Sequence, residues 1–296
     1  MRATRGEHLF YAITYTILSV LALSCLLPLV HIFAVSLSDN DAVMSGKVSF
    51  WPVQFTLESY KLLVEGTPIV RSFNNSIIIT VIGTILNMIF TVMAGYPLSR
   101  KYFYGRRFFS MAIVFTMLFS AGLIPNFLLV KSLGLLDSYW SLWLPGIVSA
   151  WNLLVLRSFF ENIPEELVEA ARIDGCSEWG LLGRIFLPLS LPVLAALSLF
   201  YGVGHWNSFF SVLMYINDSA KHNLSVLVQN MIQSQQLLNE INHQMNMGTA
   251  DDSINKITPQ SIRAAGIMTM VIPMVIVYPF LQKFFVKGML IGSIKG

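Results

Sequence analysis

The sequence is poor in charged residues and in cysteine. Asp, Glu, Lys and Arg together make up 12% of its 296 residues, whereas soluble proteins carry about 25%. This shortage excludes an ordinary soluble domain. The net charge of +3 is too small to favour a nucleic acid as partner. The two cysteines, Cys25 and Cys176, do not suggest a disulfide framework.

The sequence also lacks the patterns of two common kinds of site. No segment has the form GxxxxGK[ST], so any ATP would have to act on a separate subunit. The five histidines stand at positions 8, 31, 205, 222 and 243, without the spacing of metal ligands. We therefore expect neither catalytic residues nor a metal site. A membrane-embedded enzyme, which would need clustered His, Asp, Glu or Cys, is the less favoured alternative.

Long apolar runs are abundant, since 55% of the residues are hydrophobic. About 20 mainly apolar residues are needed to span a bilayer as a helix. Six segments meet this requirement, which predicts an all-α membrane protein built as a single transmembrane domain over residues 1–296. The first run could instead be a signal peptide, but its length favours an uncleaved span. The six predicted spans are about 9–35, 75–98, 108–130, 139–160, 187–215 and 264–286.

The distribution of Lys and Arg predicts the orientation. With the N-terminus inside, the inside segments hold twelve of these residues and the longer outside segments hold seven. Cytoplasmic segments are richer in Lys and Arg, so both termini are predicted to be cytoplasmic. The segment 161–186 then also lies inside, and the long segment 216–263 lies outside. An outer segment of this length is expected to be functional, although a disordered tether is the alternative.

The inside segment 161–186 has the signals of a helix, a corner and a second helix. Pro164 suits a first helical turn, and two glutamates follow it near the positive end of the helix dipole. Gly175 can end this helix, predicted over residues 164–174, in a left-handed conformation. Ser177 can cap a second helix that continues into the fifth span. The acids of this region outnumber its arginines, which favours a basic protein partner over an anionic membrane surface.

The same segment carries a longer pattern: Glu-Ala-Ala, three residues, Gly, nine residues, then Ile-Phe-Leu-Pro. It resembles the signature loop of the permease subunits of ABC importers. The ending QKFFVKGMLIGSIKG and the segments NNS and LRSFFENIPEEL resemble the maltose-type carbohydrate branch of that family. The segments GHWNSFF and ITPQSIRAAG look most like permeases for complex oligosaccharides, such as pectin-derived or uronate-containing chains. The resemblance implies the type I ABC-importer permease fold with six transmembrane helices.

In that family the signature loop docks on a cytoplasmic ATPase and transmits its motion to the spans, so we call residues 161–186 the coupling segment. The resemblance implies that ATP and Mg bind to an ABC ATPase dimer and that this chain binds no cofactor. Other implied partners are a second, different permease subunit, an extracellular or periplasmic solute-binding protein, membrane lipid and an oligosaccharide. The residues that the resemblance assigns to ATPase coupling are Glu169, Ala170, Ala171, Asp174, Gly175, Ile185, Leu187 and Pro188.

The predicted function is thus ATP-driven import, and the chain is not an enzyme. One alternative is a permease for another small solute. Another is a secondary transporter, which would be expected to show intramembrane acids or inverted repeats, and neither is evident.

Polar and aromatic residues at membrane depth are candidates for the substrate pathway, because they are expensive there and often functional. They could instead anchor the membrane interface or bond to neighbouring helices. These candidates are Trp151, Asn152, His205, Trp206 and Asn207. The length and position of the outer segment suggest Asn242, Gln244 and Asn246 as contacts for the solute-binding protein.

Overall fold

The structure is a computed structural model that describes residues 5–245 and 259–293, with the side chains of residues 6–234 and 260–279. Within this part the chain is helical and has no strand, only an isolated antiparallel bridge between Ser38 and Phe55. A π-helical turn, Leu182–Phe186, and a 3₁₀ turn, Ser219–Lys221, interrupt the α-helices. The α-helices are α1 (Arg5–Ser36), α2 (Asn40–Met44), α3 (Glu58–Gly66), α4 (Ile69–Ser99), α5 (Arg106–Leu118), α6 (Leu123–Ser132), α7 (Trp140–Trp143), α8 (Ala150–Glu161), α9 (Glu165–Ile173), α10 (Glu178–Leu181), α11 (Leu187–Leu189), α12 (Leu191–Trp206), α13 (Phe209–Tyr215), α14 (Leu224–Met245) and α15 (Pro259–Ser293).

Three helices of the described chain are long and apolar enough to cross a membrane by themselves. They are Gly6–Ser36, Ile69–Ser99 and Gln260–Pro279, and they overlap the first, second and sixth predicted spans. Most apolar side chains of α1 are exposed rather than packed inside the protein. A helix that is apolar on all sides has to face lipid or other helices.

The third and fifth predicted spans are bent. The axes of α5 and α6 differ by 116°, and those of Glu178–Leu189 and α12 differ by 82°. If each bent pair is one span, the described chain has up to five candidate spans. The fourth predicted span, 139–160, consists of the short helices α7 and α8 with residues 144–149 between them.

The second helix of the coupling segment enters the predicted fifth span, as expected, but it does not continue through that span in one direction. That helix continues to Leu189, and α12 starts in a new direction after Ser190. Pro192 stands in the first turn of α12. It has no N–H to donate to the carbonyl of Pro188, so the helical ladder is interrupted at this point.

The chain divides into two compact units, each with its own core. The first comprises Met1–Val70 and Val228–Ile272, and its described core contains Ala34, Val35, Val43 and Ala264. The predicted outer segments contribute helices rather than only loops, namely α2, α3 and α14.

The second unit comprises Arg71–Leu227 and Pro273–Gly296. The aromatic rings of Tyr96, Phe160 and Phe186 meet edge to face in its core, with centroids 5.0–6.4 Å apart. Such pairs add stability beyond the burial of their area. This aromatic core lies directly beneath the coupling segment, because Val168 and Leu181 belong to the same cluster.

Candidate functional site

The coupling segment forms the predicted helix, corner and helix. Its first helix, α9, begins after Pro164 and ends at Ile173, one residue shorter at each end than predicted. Gly175 follows with φ of 78°, a left-handed conformation that is costly for residues with a Cβ. The Ser177 hydroxyl then accepts a hydrogen bond from the Gly180 N–H at 3.3 Å and caps α10.

The structure divides the eight predicted coupling residues into two groups. Ala171, Ile185 and Leu187 are half-buried and pack against the aromatic core. The others are exposed. The exposed group consists of Glu169, Ala170, Asp174, Gly175 and Pro188.

Two large apolar residues of the exposed surface were missed at the sequence level. Ile173 is 86% exposed and Trp179 is 72% exposed, on either side of the Gly175 corner. Exposed apolar side chains grouped on one surface mark interaction sites more often than scattered ones do. The sequence did contain a signal for this surface, because both large apolar residues stand in an otherwise acidic stretch.

A single carboxylate joins the coupling segment to the end of α4. Glu178 accepts hydrogen bonds from the hydroxyl of Tyr96 at 2.6 Å and from that of Tyr102 at 2.8 Å. It also pairs with Arg172 at 2.9 Å. The pKa of Tyr102 is raised by burial and by its hydrogen bond to the Glu178 carboxylate. This cluster fixes α9, α10 and the α4–α5 loop relative to one another.

Arg100 makes a second connection, within the core itself. Its side chain is buried, donates to the Phe160 carbonyl at 2.9 Å and stands 4.3 Å from the Phe186 ring centroid. A guanidinium placed over an aromatic face at this distance is attracted by the ring. Arg100 therefore ties the end of α4 both to α8 and to the π-helical turn of the coupling segment.

A hydrogen-bonded polar layer connects α4, one of the candidate spans, with α12. Asn87 Oδ1 lies 2.5 Å from His205 Nε2, and Asn87 Nδ2 donates to the carbonyls of Gly146 and Ile147 at 2.7 and 2.9 Å. The hydroxyl of Tyr201 accepts from the Ser149 N–H at 3.0 Å and bonds with Thr91 at 2.7 Å. Non-helical backbone within a membrane span needs such partners, and this layer supplies them to the carbonyls of Gly146 and Ile147 and to the N–H of Ser149.

The residues predicted for the substrate pathway have different surroundings. His205 belongs to the polar layer, and Trp206 is buried with its ring edge to face with Phe73. Asn152 is also buried, whereas Trp151 and Asn207 are exposed. The sequence reading missed Asn87 and Tyr201, whose partners lie far away along the chain.

The three predicted contacts for a solute-binding protein fall outside the described side chains. Asn242 and Gln244 lie in α14, where the structure describes the backbone alone, and Asn246 is outside the described residues. Their proposed contact therefore stays a prediction. Across the described residues, no group of three His, Cys, Asp or Glu side chains could hold a metal ion.

The described chain has apolar helices, broken spans with an internal polar layer, and an exposed coupling segment. Together these features define a membrane transport subunit rather than an enzyme. The profile of the binding-protein-dependent transport system inner membrane components matches residues 87–291. The chain belongs to this family and is a permease subunit of an ABC importer, in which the ATPase is a separate subunit.

Curated relatives and a solved structure agree with this assignment. The chain is 42% identical over 290 residues to the polygalacturonan/rhamnogalacturonan transport system permease protein YtcP of Bacillus subtilis (strain 168), covering 98% of this chain and 99% of that one. It is 41% identical to the protein LplC of the same organism, covering 100% and 98%. A chain of a bacterial ABC transporter that imports the acidic polysaccharide alginate superimposes with a TM-score of 0.84 at 30% identity, covering 96% of this chain and 99% of that chain. The type I ABC permease fold is therefore confirmed.

Proposed function

We propose that this permease subunit imports oligosaccharides, of the pectin-derived or uronate-containing kind, across a bacterial cell membrane. The names of its relative YtcP and of the alginate importer support this substrate class. We further propose that a second, different permease completes the pathway and that an ABC ATPase dimer drives it with ATP and Mg. Six spans at the predicted ranges and cytoplasmic termini complete the proposed topology.

The observation that carries the coupling role is the exposed face of a rigidly held segment. Glu169, Ile173 and Trp179 are exposed, whereas Val168, Leu181 and Phe186 are buried in the aromatic core. Glu178 and Arg100 add polar connections between the segment and the end of α4. A partner bound to this face would move the segment as a body, together with the ends of α4 and α8. A coupling element works only if it transmits a difference between two states of its partner in this way.

The test compares two tryptophans. Trp179→Ala should reduce co-purification of the ATPase with the permease, because an exposed aromatic anchor is lost. Trp51→Ala is the matched control, since Trp51 is 82% exposed and lies in the other unit. Glu169→Lys should also weaken co-purification. Unchanged recovery of the ATPase with both coupling variants would contradict the proposed docking face.

The substrate pathway is proposed to pass the broken fourth span. Residues 144–146 are exposed, although the carbonyls of Gly146 and Ile147 accept hydrogen bonds from Asn87. Exposed non-helical backbone at membrane depth lines water-filled cavities or is covered by protein, and is not left to lipid. Trp151, which is exposed in the first turn of α8, offers an aromatic face to a sugar ring. Asn152, His205, Trp206 and Asn207 complete the proposed pathway.

Delivery of the sugar is proposed to involve α14 and the residues that follow it. Asn242, Gln244 and Asn246 are the proposed contacts with the solute-binding protein. Trimming residues 239–252 should impair uptake that depends on this protein while leaving membrane insertion intact. Full uptake after trimming would refute the contact.

A further inference from the structure

A groove beside α5 has a positively charged end and an apolar wall. Its volume is about 590 Å³, and Arg106, Arg107 and Arg157 line one end. Met111, Val114 and Phe115 line the wall that continues along the helix. All these residues belong to the second compact unit. None of its lining residues belongs to the exposed coupling face, the polar layer or the proposed sugar pathway.

The charged end keeps an excess of positive charge. Arg106 and Arg157 both pair with Glu161, at 2.5 and 2.8 Å. Burial raises the pKa of Glu161, but the hydrogen bonds and charges of Arg157 and Arg106 outweigh it and hold that pKa below its ordinary value. Glu161 is therefore ionised at neutral pH, and three arginines against one glutamate leave a charge of +2.

The arginines retain capacity for a further anionic group. Arg107 is exposed and lines the groove. α5 starts at Arg106 and has no acid in its first turn. Its positive dipole end thus adds to the charge of the arginines.

The apolar wall indicates the rest of the ligand. Within α5 no residue is buried, and Met111 and Phe115 are 63% and 58% exposed. In the proposed topology the arginines lie at the cytoplasmic boundary, and the wall extends into the hydrocarbon. Basic pockets between helices on that side suit lipid headgroups.

We propose that this groove binds an anionic phospholipid of the cytoplasmic leaflet. The phosphate-bearing headgroup pairs with the excess charge at Arg106 and Arg107. One acyl chain lies along Met111, Val114 and Phe115. A free phosphate would leave the apolar wall uncovered. The proposal rests on the proposed orientation of the chain in the membrane.

The first test measures lipids retained by the purified complex. Native mass spectrometry should show phosphatidylglycerol bound in preference to phosphatidylcholine. Arg107→Gln should lower retention of phosphatidylglycerol about fivefold, the effect of one basic residue near a membrane surface. Arg71→Gln, at an exposed arginine outside the groove, should leave it unchanged. Equal retention by the wild type and Arg107→Gln would overturn the proposal.

Val114→Trp tests the acyl chain separately from the charge. The larger side chain fills the groove, so retention should fall although all arginines remain. Undiminished retention in this variant would show that the apolar wall does not hold the ligand. A free phosphate or a headgroup alone would then be the occupant, and the proposal would be wrong.

Photo-crosslinking from a benzoylphenylalanine at position 115 identifies what covers the wall. The expected product has the mass of one lipid, whereas a crosslink to the second permease would overturn the proposal. ATP-driven uptake measured in the same membranes keeps the two proposals distinct. If ATP-driven uptake occurs but lipid retention is unselective, only the lipid site is refuted. If lipid retention is selective but ATP-driven uptake is absent, only the proposed function is refuted.

Discussion

His205 Nε2 lies 2.5 Å from Asn87 Oδ1, and Gly83 lies one helical turn before Asn87 in α4. A Cβ on Gly83 would lie 2.6 Å from the same Nε2 atom. The absence of a side chain at Gly83 thus leaves the space that the His205 imidazole occupies. Because Asn87 also binds the carbonyls of Gly146 and Ile147, this one contact supports the position of the broken fourth span.

Gly83→Ala is expected to displace the His205 ring and weaken its bond to Asn87. Uptake should fall, because residues 144–149 lose part of their support. The double variant Gly83→Ala/His205→Ala removes the clash, so its expression and thermal stability should exceed those of Gly83→Ala alone. A double-mutant cycle measures this coupling.

Gly202→Ala is the matched control for Gly83→Ala. A Cβ there would meet the nearest atom, Thr84 Oγ1, at 3.6 Å, which is ordinary van der Waals contact. Its uptake should be close to that of the wild type. Equal behaviour of Gly83→Ala and Gly202→Ala would contradict the role assigned to Gly83.

Gly175→Val should lower transport while leaving membrane insertion intact. No atom lies within 4 Å of a Cβ added there, so the cost comes from the backbone and is about 1–2 kcal/mol. Gly175→Asn is the control, because asparagine visits the left-handed conformation more readily. The measurement is sugar-stimulated ATPase activity of the reconstituted complex. Normal stimulation in the valine variant would remove the glycine corner from the mechanism.

Glu178→Ala should loosen the coupling segment, since Tyr96, Tyr102 and Arg172 all bond to this carboxylate. We expect weaker sugar-stimulated ATPase activity with unchanged basal activity of the ATPase. Limited proteolysis after Arg172 should become faster. Glu65→Ala, at an exposed glutamate of α3, serves as control. If Glu178→Ala and Glu65→Ala show the same rate of proteolysis and the same sugar-stimulated ATPase activity, the Glu178 carboxylate does not hold the coupling segment.

Asp137 should secure the junction between α6 and the residues after α13. Its carboxylate accepts from the N–H groups of Asp218 and Asn217, which hold its pKa below the ordinary 3.8. The Asp137 carboxyl has a lower pKa in the folded protein than in the unfolded chain. Its contribution to folding stability is therefore complete at a pH above the unfolded pKa and is lost as the pH falls through the folded pKa. Asp137→Ala should expose this junction to protease at neutral pH.

Asp137→Asn is the control, because it keeps one acceptor oxygen and tolerates the residue's φ of 59°. The wild type should keep its protection at the ordinary carboxyl pKa of 3.8 and lose it only at lower pH. Protection of Asp137→Ala equal to that of the wild type at neutral pH would contradict the role of the carboxylate.

The features that the sequence predicted well are encoded by neighbouring residues. Pro164, Gly175 and Ser177 mark the start, corner and restart of the coupling segment, and each is close to the backbone groups it affects. The long helices α1 and α4 followed from continuous apolar runs. The bend after Ser190 was missed because a proline in an apolar run does not reveal whether a membrane helix kinks or only pauses.

The partners within the site could not be predicted in the same way. Tyr96 and Glu178 are 82 residues apart in the chain, and Asn87 and His205 are 118 apart. Each residue alone resembles an ordinary polar residue near or within a span. Only the packing of α4 against α10 and α12 brings them together, and the composition of a single sequence does not encode that packing locally.

The most direct test of the central claim is uptake of a labelled oligogalacturonide into proteoliposomes. They would contain this permease, its partner permease and the ATPase, with the solute-binding protein added on its own side. The proposed function predicts uptake that requires ATP hydrolysis and that falls in Trp179→Ala but not in Trp51→Ala. Uptake driven by an ion gradient without ATP, or unaffected by Trp179→Ala, would contradict it.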